Sequence, residues 1–232
     1  MQSTISHIES SLETVKINHE VFFKISDAES LRPFFMTIVS DSNHWMFVSS
    51  NGGLSAGRKN SEFALFPYYT DDKITESAEI TGSKTMVQIH KKEEIIVWEP
   101  FSVRNEAQFH TSRNVYKNEF GNKIIFEEIN HDLALAFSYE WNNNSEFGFV
   151  KKSKIKNLAA VNQYITVLDG LQNILPYGIG SNLQNRVSNL GDAYKRTELD
   201  ATSGLGIFAL SAIIVDKAEP SEALKANTVF SI

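Results

Sequence analysis

One segment of the chain combines the residue types that bind sugars. A glycine-rich turn within residues 49–58 is followed by an aromatic and acidic stretch at 64–72. Glycines expose backbone hydrogen-bonding groups, aromatic rings cover the apolar C–H surfaces of a sugar, and fixed donors and acceptors bind its hydroxyls. The segment therefore predicts a carbohydrate site. The candidate substrate-binding residues are Trp45, Asn51, Gly52, Gly53, Ser55, Arg58, Tyr68, Asp71 and Asp72.

Several of these residues also have an ordinary structural explanation. The guanidinium of Arg58 can bind an oxyanion with two-point geometry, but it is equally an ordinary surface cation. The acidic pair after Thr70 also makes a good turn or helix cap. Trp98 and Trp141 are predicted to pack in the core, whereas Trp45 leads into the glycine turn and both interpretations stay open for it.

The other residues that could do chemistry form no recognisable site. The sequence has no cysteine, which excludes disulfides, thiolate nucleophiles and cysteine-based zinc sites. Its six histidines show neither His-x-His nor His-x-x-x-His spacing. The glycine pairs at 178–180 and 204–206 lack the strand–loop–helix context of a nucleotide fingerprint. We therefore predict no catalytic residue, metal or cofactor in this chain, and no serine hydrolase.

An acid and a base for sugar epimerisation can be sought in Glu127, Glu128 and His131. Successive residues on a strand point to opposite faces of a sheet, so the two glutamates are not predicted to converge on one ligand. The favoured interpretation is a set of solvated residues near a turn. An aldose-epimerase-like enzyme is therefore the weakest of the functional hypotheses.

Short apolar and aromatic runs alternate with polar turn clusters from Val21 onward, a pattern typical of strands. Helical patterns are short, at 27–32, 182–190 and 221–226, and cannot build a parallel βαβ sheet. The sequence predicts an all-β fold, a two-sheet sandwich that forms one domain over residues 1–232. The predicted strands are 21–25, 44–50, 85–90, 94–98, 123–129, 134–141, 164–171, 206–215 and 227–232.

The charge balance argues against nucleic acid as a partner. The net charge of −6 comes from 28 acidic and 22 basic residues that are scattered along the chain. No stretch reaches the roughly 20 apolar residues of a membrane span, and the N-terminus lacks the basic start and apolar run of a secretory signal. We predict a cytoplasmic protein that binds neither nucleic acid nor membrane.

The turn at 51–55 and the aromatic-acidic segment after it resemble the N-terminal domain of cellobiose- and chitobiose-phosphorylase-like enzymes. The resemblance extends to 147–152 and 155–157, where such domains begin a second long series of strands. It implies an antiparallel β-supersandwich similar to that of galactose mutarotase, with a few short helices. In that family a helical toroid follows and carries the catalytic carboxylate. The resemblance thus implies a non-catalytic N-terminal part of a longer glycoside phosphorylase or hydrolase.

The implied partners are an oligosaccharide, the C-terminal catalytic domain of the same parent chain, and a second copy in a homodimer. Related enzymes usually carry a third glycine in the turn, where this chain has Leu54. The resemblance therefore identifies neither the sugar, nor its linkage, nor the choice between phosphorolysis and hydrolysis. The alternative hypothesis is a free-standing carbohydrate-binding domain that uses Trp45, Arg58 and Tyr68.

Overall fold

The computed structural model describes residues 10–105, 107–214 and 223–232, and strands dominate these ranges. The strands are β1 (Ser11–Ile17), β2 (Glu20–Ser26), β3 (Phe35–Ile38), β4 (His44–Ser49), β5 (Leu54–Arg58), β6 (Gly82–His90), β7 (Ile95–Trp98), β8 (Thr111–Asn118), β9 (Lys123–Asn130), β10 (Leu135–Asn144), β11 (Gly148–Asn157), β12 (Tyr164–Gln172), β13 (Lys195–Asp200), β14 (Leu205–Leu210) and β15 (Ala226–Val229). The α-helices are α1 (Asp71–Glu76), α2 (Ser181–Arg186) and α3 (Ser188–Tyr194).

The strands form one large sheet and several small ones. The large sheet has six strands in the order β1-β2-β8-β9-β10-β11, and the three-stranded sheets have the orders β3-β4-β5, β12-β6-β7 and β13-β14-β15. Every strand pair in the described ranges is antiparallel. The all-β sandwich predicted from the sequence is confirmed, and the smaller sheets share one hydrophobic core with the six-stranded sheet.

The core is built on one face of the six-stranded sheet. Alternation along β9 buries Ile124 and Phe126 on this face. The register with β10 places Trp141 opposite Ile124 and Tyr139 opposite Phe126. Phe66 packs edge-on against Trp141, with 6.2 Å between the ring centroids. Because burying a phenylalanine side chain contributes about 1.5–3 kcal/mol, this aromatic layer is a main source of the stability of the sandwich.

The strand predictions are confirmed for every apolar run, with most ends shifted by one to three residues. The prediction at 206–215 extends too far, since β14 ends at Leu210 and the Ser211 amide then donates to the Tyr194 carbonyl; residue 215 lies outside the described ranges. Other strands are not apparent from hydrophobicity. The six residues of β13 are all exposed, so this strand has no apolar pattern by which it could be recognised.

The helices are short, as predicted. The segment 27–32 contains a 3-10 turn at Ala28–Ser30, and 182–190 contains parts of α2 and α3. The pattern at 221–226 falls partly outside the described ranges, and its last residue begins β15 rather than ending a helix. In the described part of the chain, no helix has the length and apolar character needed to cross a membrane.

Candidate functional site

The predicted glycine turn joins β4 to β5, and its geometry requires both glycines. Gly52 has a φ of 93°, in the left-handed region that favours glycine. The Gly52 amide donates to the Ser49 carbonyl at 2.9 Å, and the Ser49 amide donates to the Gly53 carbonyl at 2.7 Å. A Cβ on Gly53 would lie 1.9 Å from the carbonyl oxygen of Ile74 in α1. The turn therefore packs directly on the backbone of this helix.

Asn51 attaches the same turn to α1. Its side-chain amide donates to the Thr75 carbonyl at 2.9 Å, and the Thr75 hydroxyl donates to the Ser49 hydroxyl at 3.2 Å. These bonds hold the turn in one conformation. Asn51 thus has a structural role in addition to the sugar contact that the sequence predicts for it.

A cavity of about 20 Å³ lies beside the turn, and it has room for about one water molecule or one hydroxyl group. Asn51 and Gly52 form part of its wall, while Pro100 and Phe101 supply apolar surface. We call this space the turn cavity. The residues that give it its chemical character are Asn51, Gly52, Glu79, Lys84, Phe101 and Tyr139.

Tyr139 presents its hydroxyl beside the turn. A Cβ added to Gly52 would lie 2.8 Å from the Tyr139 hydroxyl oxygen. The ring is buried, with Phe126 stacked at 5.0 Å and Phe101 edge-on at 5.2 Å between centroids. Burial raises the pKa of Tyr139 far above its usual value, so the hydroxyl stays protonated at neutral pH. The cavity therefore contains a hydrogen-bond donor whose position is fixed by packing.

Glu79 and Lys84 form a charged part of the wall, and Glu99 pairs with Lys84 behind it. The Lys84 ammonium lies 3.0 Å from Glu79 Oε2 and also forms an ion pair with Glu99. Burial opposes ionisation of Glu79, but the Val103 amide, which donates to Glu79 Oε1 at 2.7 Å, and Lys84 outweigh it and lower the pKa of Glu79. Burial likewise disfavours the Lys84 cation, but Glu99 and Glu79 raise its pKa. The net effect favours a charged Glu79 and a charged Lys84 at neutral pH.

Two of the predicted residues, Trp45 and Tyr68, meet two further aromatic rings at the β3-β4-β5 sheet. We call these four rings the aromatic row: Phe35, Phe47, Trp45 and Tyr68, with successive ring centroids 5.7, 5.7 and 5.8 Å apart. Phe35 and Tyr68 are exposed, and the two middle rings are half-buried. Trp45 and Tyr68 were predicted from the sequence. Phe47 was missed, although its two-residue spacing from Trp45 on β4 places both on one face.

The remaining predicted residues lie apart from both groups. Register sets Gly57 opposite Trp45 and Arg58 opposite His44, so Arg58 points to the face away from the aromatic row. The exposed Arg58 guanidinium donates to Asn43 at 3.2 Å. Asp72 is exposed on α1, and a hydrogen bond from the Thr70 hydroxyl lowers its pKa. Asp71 begins α1, and its side chain lies outside the described part of the molecule.

Ser55 belongs to a spacing that the sequence prediction overlooked. Residues 53–57 match Gly-x-Ser-x-Gly, the pattern of a hydrolase nucleophile elbow. That elbow needs an exposed serine on a sharp strand-to-helix turn. Ser55 instead lies within β5, is fully buried, and its hydroxyl has no hydrogen-bond partner among the described residues. The structure therefore gives Ser55 the surroundings of a buried strand residue rather than of a nucleophile.

The side chains considered for epimerisation point apart, as alternation predicts. Glu128 faces the core, while Glu127 accepts from the Tyr116 hydroxyl at 2.5 Å and from Asn114 at 2.9 Å on the opposite face. The His131 ring packs on the His110 ring at 4.6 Å between centroids. These groups do not converge on one space that could hold a sugar ring, as an acid and a base must.

Among the described residues, no cluster of three or more histidine, aspartate and glutamate side chains could hold a metal ion. No protein-family model matches the chain, and a search of curated proteins found no significant match.

Proposed function

We propose that this chain is a non-catalytic, sugar-contacting β-sandwich domain of a glycoside phosphorylase or hydrolase, and that the turn cavity receives one hydroxyl-bearing group of the sugar. One observation supports this proposal above the others. Asn51 and Gly52, from the turn that carries the family resemblance, line the same polar space as Tyr139, Glu79 and Lys84.

The chemistry of the cavity suits a sugar hydroxyl or hydroxymethyl group. The Tyr139 hydroxyl is a fixed donor, the ionised Glu79 is an acceptor, and Lys84 supplies further donors. Phe101 gives an apolar surface for the attached carbon. A volume near 20 Å³ admits one such group but not a whole pyranose ring. The rest of the sugar would lie outside the cavity, against groups of the catalytic domain.

The carboxylates of this region are held in place rather than free to transfer protons. Glu79 accepts from the Val103 amide through one oxygen and from Lys84 and Ser102 through the other. Glu99 is paired with Lys84. A general acid needs a raised pKa and an oxygen within reach of the substrate, whereas the pKa of Glu79 is lowered. This arrangement supports a binding role, with the catalytic carboxylate on the parent enzyme's toroid.

The test is ligand-observed NMR of the 232-residue chain against gluco-, galacto- and aminosugar mono- and disaccharides. The Tyr139→Phe variant removes the hydroxyl donor and retains the ring, so we expect it to fold normally and to weaken saccharide binding about tenfold. Gly52→Ala would obstruct the space near Tyr139 and serves as a second variant. Unchanged binding in both variants would contradict the role of the cavity, and turnover of a disaccharide by the chain alone would contradict the non-catalytic assignment.

A second candidate function, a free-standing carbohydrate-binding domain, is favoured by the partly exposed aromatic row. Its rings offer apolar surface for sugar C–H groups, but they pack on one another, and the Phe35 and Phe47 planes differ by only 20°. Stacked rings of this kind cover each other's faces, which leaves less area for a sugar than a single exposed face. Binding that is lost in Trp45→Ala and Tyr68→Ala but kept in Tyr139→Phe would assign the site to the aromatic row.

A further inference from the structure

Strand β12 forms one edge of the β12-β6-β7 sheet. In the described ranges, its backbone pairing is with β6, on one side only. In an antiparallel strand every second residue directs its amide and carbonyl away from a given neighbour. The outer side of β12 therefore carries a row of backbone groups available to another strand.

The first half of β12, residues 164–168, has a composition that favours strand pairing. Its sequence is Tyr-Ile-Thr-Val-Leu, without a charge, proline or glycine. Tyr164 is 77% exposed and Leu168 69% exposed, while Val167 on the other face is also exposed. One face thus exposes two apolar side chains on either side of Thr166, and the other exposes Val167 while Ile165 packs against the core.

Other sheet edges carry charges or are very short, and both features discourage pairing. Edge strands β3, β7 and β15 have no charge but only four residues each. Edge strand β11 exposes Lys152, Lys154 and Lys156, and edge strand β13 contains four charged residues. Exposed lysines on an edge oppose the approach of a second strand because their ammonium groups must be desolvated. Residues 164–168 have no such protection.

The second half of β12, residues 169–172, already contacts a side chain of β11. The Lys151 ammonium donates to Asp169 Oδ1 at 2.7 Å and to the Gly170 carbonyl at 3.2 Å. The Thr85 hydroxyl also donates to Asp169. These contacts fasten β11 to β12 and limit the open edge to residues 164–168.

We propose that residues 164–168 form a self-association edge, which pairs antiparallel with the same segment of a second copy of this chain. A two-fold axis at Thr166 would set Tyr164 of each copy opposite Leu168 of the other, and Ile165 opposite Val167. Apolar side chains then meet apolar side chains in each of these pairs, and only the central Thr166 pair is polar. Asp169 would lie opposite Gln163, so no like charges meet despite a net charge of −6 on each copy.

The pairing joins two three-stranded sheets into one of six strands. Met86, opposite Leu168 on β6, is also exposed and widens the apolar surface next to the paired edge. Five residues a side is nevertheless a small interface, of the kind found in weak and reversible complexes. The dimer therefore forms in a concentration-dependent equilibrium.

The test is sedimentation of the intact 232-residue chain over a wide concentration range. The average mass should rise from 26.1 kDa towards about twice that value. We expect Leu168→Lys to keep the chain monomeric at every concentration. Leu12→Lys is the matched control, because Leu12 is a 72% exposed leucine on edge strand β1, and it should associate like the unmodified chain.

Hydrogen exchange gives a second measurement that does not depend on variants. Backbone amides within 164–168 should become more protected as the concentration rises, while those of β11 should not. A chain that is monomeric throughout overturns the proposal. So does association that persists in Leu168→Lys, or that is lost in Leu12→Lys. If Leu168→Lys fails to fold by circular dichroism, the exchange pattern of the unmodified chain decides the matter.

Discussion

Two groups of charged side chains lie on either side of the segment 100–103, and they differ in their access to solvent. On one side the Arg113 guanidinium, whose side chain is 19% exposed, donates at 2.7 Å to Glu128, which is buried in the core. On the other side Lys84 is held between Glu79 and Glu99 at the turn cavity. Pairs of basic and acidic side chains therefore occur in two different surroundings in neighbouring places.

The segment between them supplies hydrogen bonds to both groups. The Phe101 amide donates to Glu128 at 2.7 Å, the Trp98 indole donates to Glu128 at 2.9 Å, and the Val103 amide donates to Glu79 at 2.7 Å. Glu128 is only 1% exposed, so its bonds must all come from protein groups. Glu79 keeps partial contact with solvent and with the cavity. A closed ion pair stabilises the fold, whereas an open one can also meet a ligand.

The largest expected effect on stability concerns the Arg113–Glu128 ion pair. Arg113→Met leaves the Glu128 carboxylate buried without its cation, which should destabilise the fold by about 3–5 kcal/mol in denaturant unfolding. The double variant Arg113→Met/Glu128→Met removes both charges and should recover part of this loss. A loss below about 1 kcal/mol in the single variant would mean that the two groups do not differ as their burial indicates.

The next effect concerns the turn beside the cavity. Gly53→Ala places a Cβ 1.9 Å from the Ile74 carbonyl oxygen, so α1 and the turn must separate, at a cost of about 3 kcal/mol. Thermal unfolding measures this loss. Gly170→Ala is the control, since its Cβ would meet no atom within 4 Å, and its stability should change by only a few tenths of a kcal/mol. Equal effects in the two variants would show that the turn does not pack closely on α1.

The smallest expected effect on stability concerns Lys84 and its two partners, Glu79 and Glu99. Lys84→Met removes the shared cation of Glu79 and Glu99 and should cost about 1–2 kcal/mol at pH 7, because these side chains are partly exposed. Lys154→Met, on the exposed face of β11, is the control and should be near neutral. Urea unfolding of the three proteins gives the comparison.

The difference in stability between the unmodified chain and Lys84→Met should depend on pH. The folded pKa of Glu79 is below 4.5, so its stabilising contribution is present above that pH and is lost as the pH falls through the folded value. The folded pKa of Lys84 is above 10.5, so its contribution is present below that pH and is lost as the pH rises through the folded value. The cost of Lys84→Met should be largest between these limits and shrink in acid. A cost that does not change with pH would mean that packing, not charge, is lost.

Much of the fold follows from local patterns along the chain. The alternation at 123–129 predicts β9 because period-two burial is a property of any strand that covers a core. The Asn-Gly-Gly turn is predictable since few other residues accept the φ of Gly52. Strands such as β13 could not be predicted, because neighbouring strands rather than their own side chains hold them in a sheet.

The candidate site was only half predictable for a related reason. Asn51 and Gly52 are visible in the sequence as one turn, and Trp45 and Tyr68 as two aromatics near it. Nothing local connects them to Tyr139, whose hydroxyl reaches the turn across the sandwich. Arg58 shows the converse, since it is close to Trp45 in sequence but lies on the other face of the sheet.

The sequence by itself determined that this chain forms antiparallel strands around an aromatic core, because side-chain alternation and turn chemistry act over a few residues. Only the tertiary structure decided which polar groups are buried, such as Glu128, and which line a cavity, such as Glu79 and Lys84. The physical reason is that burial and hydrogen-bond partners depend on how separate sheets pack, and residues 51, 84 and 139 meet only after that packing is complete.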